Sequence, residues 1–320
     1  MISIVIPAYN AAPYLRQTIN SLLEGPAKDI EIVICEDGSQ DDTLAVATAL
    51  SEQYTCITVV AQPNRGAAAA RNFAFSRTTG EWILYFDADD QIASGSMQRV
   101  VEMAESIDAS ANAAIYWSWA KFRDDLAALE SHDTSLRGSR VGWQWLREAF
   151  ETNYPTFVGS ILLPRAVINR VGGWDETLSL QDDFEFFART LCAVRDMHYC
   201  EDALFLYRQS APNSLSQTVS RKSFESRANA TMRATGHLVA INDDWPSRHA
   251  AARQLMQVAF IHYLNAPDLS MVVWQRAYSL VGAAASKVPL PGGRLRRVLQ
   301  SIFGWRIALH IHRVWRMMTQ

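Results

Sequence analysis

The sequence predicts an α/β fold, with a mostly parallel sheet flanked by helices and a helical extension at the C-terminal end. Three observations carry this. Short, continuously apolar, β-branched runs alternate with helical patterns through the first half; each run gives way to polar or turn residues; and from about Ser220 onward only helical patterns follow one another. Unbroken apolar runs mark strands buried on both faces, and strand, helix, strand in repetition implies parallel pairing beneath covering helices.

In chain order, strands are expected at Ile2 to Ile6, Ile30 to Cys35, Ile57 to Val60 and Trp82 to Phe86. Helices are expected around Tyr14 to Leu23, Thr43 to Leu50 and Ala67 to Phe75. The middle third, from about Ala113 to Arg208, is rich in aromatics. It mixes strands at Ala114 to Trp119, Val158 to Leu163 and Leu204 to Tyr207 with helices, one of them from about Asp182 to Val194. Beyond Ser220, turn clusters at Asp243-Asp244-Trp245-Pro246, Ala266-Pro267-Asp268 and Pro289-Leu290-Pro291-Gly292-Gly293 separate the remaining helices. The expected division is an α/β domain over 1–217 and a helical extension over 218–320.

With 320 residues, 49% hydrophobic and 20% charged, the chain has material for a sizeable core, which excludes intrinsic disorder. Four cysteines lie far apart with no CxxC pair, as expected of a reducing compartment. No signal-peptide pattern opens the chain, and no apolar stretch reaches the roughly 18 residues of a membrane span. The expected location is therefore cytoplasmic. The net charge of −3 conceals an asymmetry: no Asp or Glu follows Asp268, whereas Arg276, Lys287, Arg294, Arg296, Arg297, Arg306, Arg313 and Arg316 all do. Leu295, Val298, Leu299 and Ile302 form one helical stripe, and Ile307, Ile311, Val314, Trp315 and Met318 form another. A basic helix with an apolar face suits either peripheral association with an anionic membrane or docking within the protein.

In open α/β sheets, ligands bind beyond the carboxyl ends of the strands. Here those ends read Pro7-Ala8-Tyr9-Asn10, Glu36-Asp37-Gly38-Ser39 and Asp87-Ala88-Asp89-Asp90. An Asp-x-Asp at a strand end suits Mg²⁺ or Mn²⁺, which takes one or two carboxylates and completes its shell with phosphate oxygens. Taken alone, the same residues would more often be an acidic loop capping the next helix.

The order and spacing of these segments, with Arg71-Asn72, Gly80-Glu81-Trp82, Gly172-Gly173-Trp174-Asp175-Glu176, Asp182-Asp183-Phe184-Glu185-Phe186 with Arg189, Tyr207-Arg208 and Ser214-Leu215-Ser216, resemble glycosyltransferase family 2. The resemblance covers roughly residues 1–217. It implies a GT-A catalytic domain, with a nucleotide-binding part over about 1–112 and an acceptor-binding part over about 113–217. It also implies an inverting transfer of sugar from a nucleotide-diphosphate donor, a UDP-sugar being favoured, to a hydroxyl of a saccharide or lipid-linked acceptor.

Carried over residue by residue, the resemblance implies that Pro7, Ala8 and Tyr9 line the base and ribose pocket, that Asp37 accepts from the base, and that Arg71 lies near the base or diphosphate. Asp87 would bond the ribose, Asp89 would ligate a divalent metal (Mn or Mg) with Asp90 in support, and Arg208 would reach the diphosphate or its closing loop. On the acceptor side stand Trp174, Asp175, Glu176 and Asp182, with Asp183 as the base. The family's Glu-Asp pair is Asp182-Asp183 here, a departure in its first member. The competing reading is a catalytically silent carbohydrate- or nucleotide-binding protein on the same scaffold. A dinucleotide oxidoreductase is disfavoured because the first strand lacks a following GxGxxG. No nucleic-acid partner is expected, because the basic tail carries interspersed apolar stripes.

Overall fold

The computed structural model describes residues 1–25, 29–108, 112–123, 129–131, 136–156, 158–209, 220–289, 300 and 304–311. By packing, the chain forms two units, one of Met1–Trp145, Thr156–Glu176 and Ala193–Leu215, the other of Leu146–Pro155, Thr177–Cys192 and Ser216–Gln320. The second unit thus takes in two segments that lie within the expected 1–217 domain.

The first unit is built on a sheet of ten strands among the described residues. Its first half follows the expected alternation: β1 (Ile2–Ala8), α1 (Leu15–Leu23), β2 (Ile30–Glu36), α2 (Thr43–Gln53), β3 (Ile57–Ala61), α3 (Ala67–Phe75) and β4 (Trp82–Tyr85). β1 sits between β2 and β4 and is parallel to both, and β3 continues the parallel set beyond β2. Ile4, Val5 and Ile6 of β1 are fully buried, as a strand covered on both faces requires. Leu15, Ile19 and Leu22 place one face of α1 in the core at helical spacing.

The second half is mixed. β6 (Ala113–Phe122) and β10 (Asp196–Arg208) pair in parallel, while β9 (Ile161–Pro164) runs antiparallel to both β4 and β6 and joins the two parallel sets. Short β5 (Gln91–Ile92), β7 (Glu130–Ser131) and β8 (Arg140–Val141) add edge pairings, and α4 (Ser96–Ser106) and α6 (Arg165–Val171) complete the unit. Two expectations shift. The strand expected from Val158 begins only at Ile161, because Gly159 adopts φ +99° and a Cβ there would lie 2.4 Å from the Phe205 ring. The strand expected at Leu204 to Tyr207 is the end of the longer β10, whose register against β6 breaks between Tyr199 and Leu204.

In the second unit, α5 (Gly142–Thr152, from Leu146) and α7 (Asp182–Ala193, to Cys192) accompany α8 (Arg221–Ile241), α9 (Trp245–His262) and α10 (Pro267–Val281). Ser220 and Ser223 form a reciprocal capping box on α8, and Asp244 caps α9 by accepting from Ser247 N. Small residues on facing turns, among them Ala228 and Thr231 of α8 and Ala251 and Ala252 of α9, are buried and permit close helix packing. A further helix over 304–311 buries Trp305, Ala308 and Leu309 in the core formed by Phe260, Val273 and Ala277. Residues 290–299, 301–303 and 312–320, which hold the first apolar stripe and the end of the second, lie outside the described residues, as do Ser214 to Ser216. Among the described residues no helix is long and apolar enough to cross a membrane.

Candidate active site

At the ends of β1 and β2 the two following loops are stitched together. Asp37 N donates to Ala8 O at 2.8 Å, Asn10 N to Ser39 Oγ at 3.1 Å and Gln40 N to Asn10 Oδ1 at 2.8 Å. Gly38 makes this approach feasible: its φ is +71°, and a Cβ would sit 2.6 Å from Asn64 N. Tyr9 stands 47% exposed, open to a ligand, and Pro7 is half-buried. Ala8 is fully buried, so its methyl lines no pocket and it contributes backbone alone.

Asp37 is buried and already occupied. Its Oδ1 accepts from Gln62 Nε2 at 2.8 Å and Arg65 N at 2.9 Å, and its Oδ2 from Gly66 N at 2.9 Å. The carboxylate therefore shapes the loop that leads into α3. A carboxylate accepts about four hydrogen bonds, so these three leave Asp37 one acceptor position, although the residue is almost fully buried.

Arg71 and Asn72 of α3 meet the Gly172 to Glu176 segment, about a hundred residues away in sequence. Asn72 Oδ1 accepts from Trp174 N at 2.8 Å, and Asn72 Nδ2 donates to Trp174 O at 2.9 Å and to Glu176 Oε1 at 3.0 Å. Gly173 allows this contact, since a Cβ there would fall 2.4 Å from Asn72 Oδ1. The Trp174 ring, expected on the acceptor side, is not open to an acceptor. It is 3% exposed, with the Arg71 guanidinium 4.3 Å over its face and Tyr85 packed edge-on at 5.0 Å. Burial of an indole beneath a cation in this way removes the face an acceptor would need. Asp175 remains half-buried, and exposed Glu176 also accepts from Arg65 Nη2 at 2.9 Å.

Arg71 carries on to the acidic loop: its Nη2 donates to Asp87 Oδ1 at 2.8 Å, with the Asp87 side chain still one-third exposed at 33%. Arg71 itself is buried, so its charge is directed to Asp87 and Trp174. The loop is held from behind. Thr18 Oγ1 shares its proton between Ala88 O at 2.8 Å and Asp90 O at 2.7 Å. Arg208 donates from Nε to Asp89 O at 2.7 Å, from its backbone N to Asp90 Oδ1 at 2.8 Å and from Nη2 to Gln17 Oε1 at 2.9 Å. It lies between the Tyr14 and Phe122 rings and is 7% exposed. Two assignments change accordingly. Arg208 braces the acidic loop and does not reach out to a diphosphate, and Asp90, 2% exposed and turned onto Arg208 N, is an internal acceptor that cannot ligate an incoming cation.

Asp89, like Asp87, is only half-buried. Burial first, and the neighbouring Asp87 charge second, push its pKa up to about 6, against a smaller pull from Arg208. Among the described residues no three His, Cys, Asp or Glu side chains converge into a protein-only metal cage. A hard cation that takes one carboxylate and completes its shell with diphosphate oxygens needs no such cage, and concentrated acidic charge of this kind is what it neutralises. The residues fit a divalent ion on those terms.

In the second unit, Asp182 and Asp183 open α7, both half-buried, and Asp183 Oδ1 accepts from Phe184 N at 2.8 Å. Arg227 of α8, its pKa lowered by burial, is stabilised as a cation by the Asp183 charge. One residue earlier, Ser226 Oγ accepts from Ser179 N and Leu180 N, both at 2.9 Å, and so fixes the approach to α7. Glu185 is buried on the same helix. Burial alone would raise its carboxyl, but hydrogen bonds from His237 Nε2 at 3.1 Å and Arg189 Nε at 2.8 Å outweigh it and bring the pKa to about 2. Glu185 is thus a permanent anion that anchors α7 to α8. The Glu185–Arg189 spacing of four signals part of this in the sequence, and Asn72 stands in the Arg71-Asn72 segment; the parts played by Gln17, Thr18 and Ser226 carry no such signal.

Residues 3–157 match the model of the family described as glycosyl transferase family 2. The chain is 26% identical over 218 residues to the uncharacterized glycosyltransferase EpsJ of Bacillus subtilis, a match covering 68% of this chain and 63% of that relative, so just under two thirds of the relative is spanned. It is 37% identical over 98 residues to chondroitin synthase of Pasteurella multocida, covering 31% of this chain and 10% of the synthase. Among solved structures, S. aureus TarS 1–349 in complex with UDP-GlcNAc superposes with a TM-score of 0.66 at 15% identity, covering 98% of this chain and 91% of that one, a likeness that establishes the GT-A α/β fold. The acidic loop after β4 and the stitched ends of β1 and β2 lie within the matched residues 3–157, so the part of the chain that carries the site is similar to glycosyl transferase family 2.

Proposed function

We propose that the chain is an inverting, metal-dependent glycosyltransferase that moves a sugar from a nucleotide-diphosphate donor, a UDP-sugar by preference, to a hydroxyl of a saccharide or lipid-linked acceptor in surface polysaccharide or glycoconjugate biosynthesis. The observation that carries the reading is the braced Asp87 to Asp90 loop at the carboxyl end of β4, with Asp87 aligned by Arg71, Asp90 turned inward onto Arg208 N, and Asp87 and Asp89 both only half-buried. The relatives named for polysaccharide synthesis and the TarS complex with UDP-GlcNAc support the donor and product classes. Tyr9 and Asp37 serve the base, Asp87 the ribose and Asp89 the cation. Bound Mg²⁺ or Mn²⁺ supplies positive charge where the leaving diphosphate becomes more negative. Asp183 takes the acceptor proton as its oxygen attacks the opposite face of the sugar.

A panel of nucleotide sugars tests this by release of nucleoside diphosphate with and without saccharide and lipid-linked acceptors. Release is expected to depend on acceptor, to stop with EDTA and to return with Mn²⁺ or Mg²⁺, and the product anomer should be inverted by NMR. Release unaffected by EDTA would remove the metal, and a retained anomer would remove the single-displacement mechanism.

The proposed setting is the cytoplasmic face of a membrane, reached by peripheral association. Ile307 and Ile311 stand 52% and 38% exposed on the 304–311 helix beside exposed Arg306 and His310, within the acid-free end of the chain. Since Trp305, Ala308 and Leu309 of this helix are core, deleting it would damage the fold, so the informative change is Ile307→Asp with Ile311→Asp. Each half-exposed isoleucine offers about 1 kcal/mol of further burial. The double variant, losing about 2 kcal/mol of burial and adding two negative charges, should therefore bind anionic vesicles at least roughly thirtyfold more weakly in co-sedimentation at an unchanged melting temperature. Equal binding of variant and wild type would place this helix away from the membrane.

A further inference from the structure

Trp245, the first residue of α9, is 57% exposed, and no other large hydrophobic among the described residues is as open. It walls a cavity of about 210 Å³ together with Arg147, Glu148, Glu151, Pro246 and His249. The cavity lies entirely within the second unit and its frame is fixed. Asp244 caps α9 on Ser247 N at 2.8 Å, and Gln254 of the same helix donates to Phe150 O and, at 2.9 Å, to Asn153 Oδ1 at the end of α5. The polar lining is oriented as well. His249 Nδ1 lies 3.2 Å from Glu151 Oε2, and Arg147 Nη1 lies 3.8 Å from Asp244 Oδ2. The His249 ring is 6.4 Å from that of Trp245 and tilted by 34°, so the two form a shallow aromatic floor.

We propose that this cavity is a saccharide subsite that holds one neutral pyranose ring of the acceptor or product chain, an inference that rests on the glycosyltransferase reading of the first unit. A pyranose presents C–H bonds on one face and hydroxyls around its edge. An exposed indole receives the first, and carboxylates, a guanidinium and an imidazole at its border receive the second. The lining is apolar over most of its surface, with the charged or titratable groups of Arg147, Glu148, Glu151 and His249 at its border, which matches the C–H face and hydroxyl edge of one ring. Among the lining side chains the two carboxylates Glu148 and Glu151 outnumber the one guanidinium of Arg147, which disfavours a phosphorylated or sulfated polymer. The volume falls below the roughly 300–1,000 Å³ of pockets for drug-sized ligands, as suits one ring. Such a subsite would keep a growing chain attached between transfers by raising its local concentration.

Titration calorimetry on the full chain tests the proposal with hexasaccharides of glucose and of N-acetylglucosamine, a sulfated hexasaccharide and, separately, UDP. One of the neutral hexasaccharides is expected to bind in the millimolar to micromolar range. Trp245→Ala should weaken it on the order of tenfold and Glu151→Gln by a smaller factor, with UDP affinity and melting temperature unchanged. Absence of neutral-saccharide binding at about 10 mM, equal affinity in Trp245→Ala, or preference for the sulfated ligand would each overturn it. The UDP arm keeps the two readings apart. Loss of UDP binding with Trp245-dependent saccharide binding intact would sink the donor assignment and leave the subsite standing.

Discussion

Asp89→Asn is expected to lower turnover on the order of a thousandfold while leaving the protein at least as stable as the wild type. The two effects have the same origin. Burial and the adjacent Asp87 charge raise the Asp89 carboxyl to about 6, so folding disfavours its ionised form. A carboxylate whose pKa rises on folding costs nothing below its unfolded value near 4. The cost grows between about 4 and 6, and above that it is fully present. The isosteric amide removes the cost at neutral pH. The same charge is what a cation would bind, and Asp90 is no substitute because its carboxylate is buried against Arg208 N. Melting curves at pH 4 and pH 7.5 beside steady-state rates separate the alternatives. The wild type should gain on the variant in relative stability at the lower pH. Full activity in the variant would remove Asp89 as metal ligand, and lost activity with a lowered melting temperature at both pH values would make it a structural residue.

How much of this was legible in the sequence differs between elements for identifiable reasons. The parallel strands β1 to β4 could be read because strands buried on both faces leave unbroken apolar runs. β10 could not be read in full. Its exposed Glu201 and Asp202 and the register break after Tyr199 erase the period on which such a reading depends. In the site, residue types were legible and directions were not. Arg208 and Asp90 were marked by the motif, but whether a guanidinium points at a ligand or braces a loop depends on Gln17, Thr18 and Phe122, which meet only in the fold. Trp174 shows the same limit. A Trp after two glycines suggests an open turn, yet Arg71 and Tyr85 close over it from elements about ninety to a hundred residues earlier. The composition of the last sixth was readable as basic and amphipathic. Which of its apolar residues are core was not, since Trp305 and Ile307 differ only in the side of the helix they occupy.

Asp183→Asn is expected to preserve folding and donor binding and to lower turnover on the order of a hundredfold or more, because it removes only the group proposed to take the acceptor proton. Its structural part survives the change. Asp183 Oδ1 accepts from Phe184 N at 2.8 Å, and the amide oxygen of asparagine can accept the same bond at the start of α7. The helix keeps acidic first-turn residues in Asp182 and in Glu185, whose anchoring by Arg189 and His237 is independent of position 183. The change in charge is felt at Arg227, which loses the attraction that offsets its burial, so a small drop in stability is expected and a large one is not. Asp182→Asn, one residue earlier, serves as the comparison: it alters helix-end charge equally and, as an acceptor-side residue, should raise the acceptor KM while leaving turnover at saturating acceptor within a few-fold of wild type. Calorimetric donor affinity, melting temperature and rates at saturating donor and acceptor decide the matter. If the Asp183 variant loses donor affinity while saturated turnover stays normal, the residue binds donor and the base is another group. If both aspartate variants slow turnover alike, the helix-end charge and not proton transfer at Asp183 is what the reaction requires.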